Sequence, residues 1–391
     1  MNIIYFTTAQ YHTDHEEWLK TWKTPVNLSN QTFHNKLIRS LGISNKVTVI
    51  SLRPFSKKRC TVKYLPRNYR EDGNISWCYP RIIKSGVKLP ALIGAEIRYF
   101  LAKKDIEEIK NSIIITDTIN PSVSFFATRI AKRYNIPAIG ICTDSPSNIS
   151  GTKRAYTMLV LKLAKKLDGF IALTSGLNEL FNETDKPALI LEGLVEDEEN
   201  IVEPYENKYG KYMFYAGALS DKYGIYNFIN YFKNDYKGDA KLLICGHHVD
   251  QAKLYDAIKE DKRIIYLGNL TNKECMLLEK NAWLNINPRP FSEDLDRFSI
   301  PSKVLEYLNS GAATLSVKNT KLQKYFNPYA IWVKASNSES FAESIAKYES
   351  FTTEETIAMT KGAKEEVQKY YSLSAVNSKL DGFLYLFTIK N

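Results

Sequence analysis

The richest chemistry of this sequence lies in residues 283–311, which read WLNINPRPFSEDLDRFSIPSKVLEYLNSG. An apolar strand pattern leads into a polar loop that carries the cations Arg289 and Arg297. A helix pattern then begins near Ser299–Pro301 and ends at Gly311. Ligands of open parallel sheets bind beyond the carboxyl ends of the strands, and this loop follows such an end. The segment is therefore the first candidate for a binding site.

The start of this helix is a predicted anion site, because the first N–H groups of a helix have no partner within it. Ser302 and Lys303 add a hydroxyl and a cation to the first turn, and Glu306 lies three residues beyond Lys303 on the same side. A carboxylate there can accept hydrogen bonds from two neighbouring hydroxyls. Phosphate at the helix start and a diol one turn further in match a nucleoside diphosphate. The alternative is a solvated Lys–Glu pair worth about 0.2–0.5 kcal/mol.

The segment FSIPSKVLEYLNSG resembles the nucleotide-sugar motif of glycosyltransferase family 4. Its members have the GT-B architecture, in which two Rossmann-like domains face a cleft. The stretches YAGALSDKYGIYNFI, LLICG and IIYLGNL are similar, in the same order, to the first strand ends of the family's C-terminal domain. The form PSKxxEYLxSG resembles the branch that acts in bacterial capsule, exopolysaccharide and O-antigen synthesis.

The resemblance implies a role for each matching position. Glu306 would hold the ribose hydroxyls, and the turn at Gly217 would approach the diphosphate closely. The other implied donor contacts are backbone amides near the diphosphate and donor sugar at Ser299, Pro301 and Ser302, and base contacts at Gly268, Asn269 and Leu270. In the family no metal is generally required, so we expect none.

Three positions depart from the family pattern. Phe298 stands where the family has the first glutamate of its glutamate pair, and Ala218 stands where it has an arginine. The usual phosphate lysine falls at Tyr223, with Lys222 one position early. The missing cations are therefore expected from elsewhere, and the candidates are Lys303, Arg297 and Arg289.

Two predicted strand ends in the N-terminal half supply candidate acceptor contacts. The first is followed by TTAQYHTDHEE, which places Gln10 and His12 beside the site. The second is followed by TDSPS, where Asp144 resembles the aspartate of the family's His-Asp motif and is the candidate catalytic residue. A turn cap is the alternative role for Asp144, since Asp before Ser-Pro favours turns. His12 and His15 have metal-ligand spacing, but further ligands are missing.

The wider pattern predicts an α/β fold of two Rossmann-like domains with parallel sheets facing a cleft, strapped together by C-terminal helices. Short apolar runs alternate with helical patterns, break near residue 195 and then start again, which is typical of βαβ units. Residues 1–195 are expected to form an acceptor-binding domain and residues 196–370 a nucleotide-sugar domain. Residues 371–391 are expected to form a helix packing back on the N-terminal domain.

The charge is unevenly distributed. The chain has 391 residues, with 53 Lys+Arg against 43 Asp+Glu, and its net charge is +10. Residues 1–195 carry 28 basic and 16 acidic residues, so the excess lies in the half expected to bind the acceptor. Residues 51–88 interleave basic and aromatic side chains, and residues 153–166 read as a basic amphipathic helix. Both suit an anionic membrane surface. An RNA partner or a solvated face are the alternatives, but no RNA-binding motif accompanies the charge, so we expect no nucleic acid.

The sequence also indicates where in the cell the protein is expected. No apolar run reaches the roughly 18 residues that a membrane span needs, and no signal-peptide pattern opens the sequence. Five scattered cysteines without a CxxC spacing argue against a zinc site or a disulfide framework. We therefore expect a cytoplasmic protein that is peripheral at the inner face of the plasma membrane.

These patterns predict a retaining glycosyltransferase. It would move a hexosyl unit from a nucleotide sugar, expected to be a UDP-sugar, to a growing, lipid-linked surface polysaccharide. The alternative is a non-catalytic GT-B relative that binds sugar or acts as a scaffold in a glycan synthase. An NAD-dependent dehydrogenase is disfavoured, because neither domain start carries GxGxxG.

Overall fold

The computed structural model describes residues 1–23, 29–55, 59–83, 89–149, 154–197, 206–247 and 250–388. Lys57, Lys58 and Lys153 of the two basic stretches lie outside the described residues. The strands are, in chain order, β1 (Asn2–Thr7), β2 (Lys46–Ser51), β3 (Tyr64–Leu65), β4 (Asn68–Asp72), β5 (Ile75–Tyr79), β6 (Ile82–Ile83), β7 (Ser112–Asp117), β8 (Ala138–Cys142), β9 (Gly169–Ala172), β10 (Ala188–Ile190), β11 (Tyr212–Ala216), β12 (Lys241–Cys245), β13 (Ile264–Tyr266), β14 (Leu284–Asn287), β15 (Thr314–Val317) and β16 (Ile331–Val333).

The α-helices alternate with these strands. They are α1 (His12–Leu19), α2 (Ser29–Gly42), α3 (Leu89–Leu101), α4 (Ile106–Lys110), α5 (Pro121–Tyr134), α6 (Arg154–Ala164), α7 (Ser175–Phe181), α8 (Ile225–Asn234), α9 (Gln251–Ile258), α10 (Asn272–Lys280), α11 (Glu293–Phe298), α12 (Ser302–Ser310), α13 (Thr320–Phe326), α14 (Ser338–Glu349), α15 (Thr353–Tyr371) and α16 (Leu373–Tyr385). Among the described residues, none of these helices has the length and apolar character to cross a membrane.

The chain divides into two compact units. Unit 1 comprises Met1–Glu196, Arg297–Ile300 and Leu373–Asn391, and unit 2 comprises Asp197–Asp296 and Pro301–Ser372. Each unit contains a sheet whose helices lie between successive strands, as βαβ units require. The predicted α/β class is confirmed by this alternation.

The sheet of unit 1 has the strand order β10-β9-β8-β7-β1-β2-β5-β4. Its strands are parallel except for the β4–β5 pair, and Tyr5 of β1 lies in register with Val49 of β2 and Ile115 of β7. Because helices cover both faces, the central strands are continuous apolar runs such as SIIIT and AIGIC. Asn120 caps α5 by accepting from the backbone N–H of Val123, and a proline occupies the first turn, where its missing N–H costs nothing.

Helix α16 packs against α2 within unit 1. The Ser40 hydroxyl donates to the Leu373 carbonyl at 2.7 Å, and the Asn45 amide donates to the Asp381 carboxylate at 2.7 Å. Val376 and Leu380 of α16 join the same buried cluster as Leu37 and Leu41 of α2. The last helix of the chain thus completes the core of unit 1.

The sheet of unit 2 is entirely parallel and has the order β13-β12-β11-β14-β15-β16. The order reverses between β11 and β14, which is the topological switch point of a Rossmann-like sheet. Ligands of such sheets bind outside the carboxyl ends of the strands at this point. We call this row of strand ends the carboxyl edge.

The basic stretch 51–88 was interpreted from the sequence as a membrane-facing surface, but its fold is different. It forms strands β3 to β6, which the apolar pattern did not predict, and β5 extends the main sheet. The pleat of β5 points the side chains of Trp77 and Tyr79 toward the core, where each is 1% exposed. Arg67 pairs with Glu96 and Arg70 pairs with Asp14, each at 2.7 Å. Part of the predicted basic and aromatic surface is therefore engaged within the protein, whereas Tyr64 and Tyr69 are exposed.

Candidate functional site

Glycines follow three neighbouring strands at the carboxyl edge of unit 2. Gly217 follows β11, Gly246 follows β12, and Gly268 lies two residues beyond β13. The Gly217 N–H donates to the Cys245 carbonyl at 3.1 Å, and the Gly246 N–H donates to the Gly268 carbonyl at 2.9 Å. We call Gly217, Gly246 and Gly268 the glycine edge. It exposes bare backbone where a ligand of this sheet would lie.

Gly246 shows why glycine is required there. Its φ is +129°, and a Cβ built on it would lie 2.0 Å from the Gly217 carbonyl oxygen. Gly268 also has a positive φ, +76°, but a Cβ there would meet nothing within 4 Å. Close backbone packing therefore fixes Gly246, whereas backbone conformation alone favours glycine at Gly268.

Helix α12 begins beside this edge without a side-chain cap. Its N-cap is Pro301, which has no side chain that can accept from the first turn, and Ser302 is exposed. The first-turn N–H groups of such a helix are the donors that an anion uses. The helix ends, as predicted, at Gly311 in the left-handed conformation. The polar loop before it differs from the prediction, because residues 293–298 form the short helix α11.

A buried tyrosine links α12 to the end of β11. The Tyr307 hydroxyl accepts a hydrogen bond from the Ala216 backbone N–H at 2.8 Å. Burial and the nearby Glu279 carboxylate raise the pKa of Tyr307 well above its ordinary value. Together with the buried residues Val304, Leu305 and Leu308, this contact packs α12 against the end of β11, which Gly217 follows.

Lys303 lies between two carboxylates. Its Nζ is 2.7 Å from Glu306 Oε2 on the same helix and 3.0 Å from Glu279 Oε1 on α10. The side chain of Glu279 is 3% exposed, against 32% for Lys303 and 21% for Glu306. Burial lowers the pKa of Lys303, but Glu306 and Glu279 outweigh it, so that this pKa is raised. We call Glu279, Lys303 and Glu306 the charge cluster.

The sequence analysis did not identify Glu279 as a residue of the site. On α10 it shares the buried face with Cys275 and Leu278. A carboxylate on the apolar face of an amphipathic helix requires a partner, and that was the available signal.

The two candidate arginines have carboxylate partners of their own. Arg289 is buried and lies 3.5 Å from Asp296. Burial raises the pKa of Asp296, although Arg289 and Lys321 act to lower it. Arg297 belongs to unit 1, where it pairs with Glu179 at 2.8 Å and its carbonyl accepts from the Thr174 hydroxyl.

The other predicted donor contacts have mixed surroundings. Ser299 is partly buried and lies in unit 1. Asn269 is exposed next to the glycine edge, and Leu270 packs against the buried cluster beneath it. Thr271 then starts α10 with a capping box closed by Glu274.

The predicted acceptor residues lie at the carboxyl edge of unit 1. Gln10 is fully buried, and its side-chain amide contacts His15 at 3.4 Å. His12 begins α1 and packs on Tyr11, while His15 stacks on Trp18. Asp144 accepts from the Ser145 backbone N–H at 2.7 Å, a local contact at the start of the turn that its sequence context favours.

A buried polar cluster at the same edge was not predicted. The Tyr5 hydroxyl lies 2.6 Å from His34 Nδ1, and His34 Nε2 lies 3.8 Å from Asp117 Oδ2. The Asn30 amide donates to the same Asp117 oxygen at 3.4 Å. Burial raises the pKa of Asp117 and lowers that of His34. The signal was a polar residue directly after the apolar run SIIIT.

Metal binding and cysteine pairing are the remaining candidate features. In the described ranges, no group of three or more His, Cys, Asp or Glu side chains could hold a metal ion. All five cysteines are free and buried, and the structure brings Cys245 and Cys275 together with their sulfurs 3.7 Å apart.

Comparisons with known proteins bear on the family of residues 196–366 and on the fold of the chain. Residues 196–366 match the family model described as glycosyl transferases group 1. A sucrose-phosphate synthase from Thermosynechococcus elongatus superposes with a TM-score of 0.70 at 9% identity, covering 100% of both chains. The fold is GT-B. No curated protein matches the sequence.

Two further solved structures share this fold. OtsA, a trehalose-6-phosphate synthase, has a TM-score of 0.69 at 9% identity and covers 98% of both chains. Anabaena Alr3699/HepE in complex with UDP-glucose has a TM-score of 0.63 at 10% identity, covering 99% of this chain and 100% of that one. The predicted GT-B architecture is confirmed, and the match over residues 196–366 confirms the resemblance to group 1 glycosyltransferases for that part of the chain.

Proposed function

We propose that this protein is a retaining glycosyltransferase of the family 4 type that transfers a hexosyl unit from a nucleotide sugar, with a UDP-sugar as the expected donor. The observation that carries the proposal is the carboxyl edge of unit 2. There the glycine edge, the uncapped start of α12 and the Glu306 carboxylate occupy a Rossmann switch point. The family match over residues 196–366 and the UDP-glucose complex of the Anabaena protein support a nucleotide-sugar ligand.

Each part of this edge has a role in donor binding. The first-turn N–H groups of α12 near Ser302 would receive the diphosphate, and Gly217, which has no side chain, would allow its close approach. Glu306 would accept hydrogen bonds from the ribose hydroxyls, and residues 268–270 would border the base. Catalysis would rest on alignment of donor and acceptor and on stabilisation of the leaving diphosphate, without a metal. Asp144 is the proposed contact with the reacting sugar.

The acceptor is proposed to be a growing lipid-linked polysaccharide at the inner, anionic face of the plasma membrane, with the protein bound peripherally from the cytoplasm. The exposed face of α6 supports this location. Met158 is 63% exposed and Leu159 47%, and cationic Arg154, Lys162 and Lys166 are exposed near them on α6 and just after it. Apolar and cationic side chains on one surface helix suit an anionic bilayer.

Vesicle flotation tests the membrane location. We expect the protein to float with vesicles containing phosphatidylserine or phosphatidylglycerol, and less with neutral vesicles. The double variant Met158→Asp and Leu159→Asp should remove flotation. As a control, Ile357→Asp changes an exposed apolar residue of α15 in unit 2. Equal flotation on neutral and anionic vesicles would contradict the proposed surface.

A panel of nucleotide sugars tests the activity. We expect release of UDP, or of GDP, from one donor in the presence of a crude lipid-linked acceptor fraction. At subsaturating donor, Glu306→Ala should reduce release by about 30-fold, and Glu343→Ala, which removes an exposed carboxylate paired with Lys334, should not change it. The absence of nucleotide release from every donor would contradict the enzymatic proposal.

A non-catalytic sugar-binding or scaffold protein is the second candidate. The specific observation in its favour is that Lys303, Arg289 and Arg297 each contact a carboxylate. Such a protein would bind a nucleotide or a glycan but release no nucleotide from any donor. Binding measured beside the release assay therefore separates the two candidates.

A further inference from the structure

Lys303 links Glu279 to Glu306, the residue proposed to bind the ribose. Glu279 lies on α10, and its carboxylate contacts Lys303 Nζ at 3.0 Å, while the same nitrogen contacts Glu306 at 2.7 Å. The two carboxylates thus take two of the three donors of the ammonium group. Lys303 joins a buried acid on one helix to the partly exposed acid on the next.

The turn of α10 that carries Glu279 is held firmly against the sheet. The Asn285 side chain of β14 donates to the Glu279 carbonyl at 2.9 Å. The Tyr212 hydroxyl of β11 donates to the Leu278 carbonyl at 2.8 Å. The buried carboxylate is therefore a fixed anchor, whereas a Lys–Glu pair three residues apart on one helix is ordinarily loose and solvated.

The charge cluster is formally negative, with two carboxylates around one ammonium group. Such a group does not attract a diphosphate, which the first-turn N–H groups of α12 can receive instead. The geometry suits Lys303 to orienting Glu306, because its two short contacts point to carboxylates.

We propose that Glu279 is a positioning residue for the ribose site: it anchors Lys303, which in turn holds the Glu306 carboxylate in the orientation that accepts both ribose hydroxyls. This inference rests on the proposed donor site. It assigns Lys303 to recognition of the ribose and leaves neutralisation of the diphosphate to the backbone. Preorganisation of this kind improves affinity because the bound ligand need not order the carboxylate.

Calorimetric titration of the full chain with UDP and with 2′-deoxy-UDP tests the inference. The wild type should prefer UDP by about 10-fold or more, since a hydrogen bond to a charged group contributes about 1.5–3 kcal/mol. Glu279→Gln keeps the size of the side chain but weakens the anchor. It should reduce the preference to less than about 3-fold, mainly through weaker UDP binding, with a smaller loss of affinity for 2′-deoxy-UDP, which keeps only the 3′-hydroxyl as a donor to Glu306.

Glu96→Gln is the matched control. Its carboxylate is also 3% exposed and pairs with Arg67, but it lies in unit 1, so the preference for UDP should stay as in the wild type. If Glu279→Gln does not fold, the double variant Glu279→Gln with Lys303→Met removes the buried charge together with its partner. It should show the same reduced preference.

The outcomes separate this inference from the function on which it rests. A wild type that binds neither UDP nor GDP overturns the donor site itself, and with it the positioning role. A wild type that prefers UDP, together with an unchanged preference in Glu279→Gln, overturns the positioning role alone. An equal loss of affinity for both ligands also overturns it, because a purely structural role would act on both.

Discussion

The carboxyl edges of the two sheets present opposite chemistry. In unit 2, three strands are followed by glycines, and the edge offers backbone. In unit 1, the strands β1, β7 and β8 are followed by the polar residues Thr8, Thr118 and Thr143. Among the described residues, Gln10 Oε1, His34 Nε2 and Thr143 Oγ1 are buried there without a hydrogen-bond partner.

This difference indicates what each edge is suited to bind. A diphosphate needs close approach to N–H groups, and side chains at the strand ends would prevent it. Hydroxyl-rich ligands are recognised by side-chain donors and acceptors, such as amides, carboxylates and hydroxyls. The proposed division between a donor edge in unit 2 and an acceptor edge in unit 1 follows from this contrast.

The largest effect is expected at Gly246. Gly246→Ala places a Cβ against the Gly217 carbonyl at a φ of +129°, so unfolding free energy should fall by about 3 kcal/mol or more. Gly268→Ala, also at a positive φ but in open space, should lose only about 1–2 kcal/mol. Urea denaturation measures both, and equal losses would contradict the close packing of the glycine edge.

A smaller effect is expected in the buried polar cluster of unit 1. Asp117→Ala removes the acceptor of the Ile119 backbone N–H and of the Asn30 amide, so stability should fall by about 2 kcal/mol. UDP affinity should not change, because Asp117 lies in unit 1. Asp72→Ala, at an exposed position of β4, is the control. A change in UDP affinity without a loss of stability would argue against the separation of the two edges.

The smallest effect is expected for Tyr307→Phe. Loss of the acceptor for the Ala216 N–H should lower stability by about 1 kcal/mol at neutral pH. In the folded protein the pKa of Tyr307 is raised. Its neutral hydroxyl therefore stabilises the fold below the unfolded-state pKa of about 10, and this stabilisation is lost as the pH rises above that value. The variant should therefore lose stability above pH 10 less steeply than the wild type, by up to about 1.4 kcal/mol per pH unit. Identical slopes in urea titrations would contradict this assignment.

Much of the fold was predictable because local signals agree with the tertiary structure. The runs at 138–142, 212–216 and 241–245 coincide with β8, β11 and β12, since strands buried on both faces read as continuous apolar segments. The strand β4 was missed because NYRED is polar and mostly exposed, and β5 was missed because its short run ISWCY was interpreted as part of the basic and aromatic stretch 51–88. Trp77 and Tyr79 were accordingly placed on the surface instead of in the core.

The candidate site was only partly predictable. Glu306 and Lys303 stand out by spacing along one helix, and the structure places them in contact. Their partner Glu279 is 24 residues from Lys303 in sequence, and only the packing of α10 against α12 brings the two together. For the same reason the sequence could not show that Arg297 pairs with Glu179, or that His34 meets Asp117.

Calorimetric binding of UDP and GDP to the full chain tests the central claim most directly. We predict that one of the two binds the wild type and Glu343→Ala equally, and that Glu306→Ala binds it about 30-fold more weakly, as expected for lost hydrogen bonds to a charged acceptor. A wild type that binds neither nucleotide, or a Glu306→Ala variant with unchanged affinity, would contradict the donor site at the carboxyl edge of unit 2.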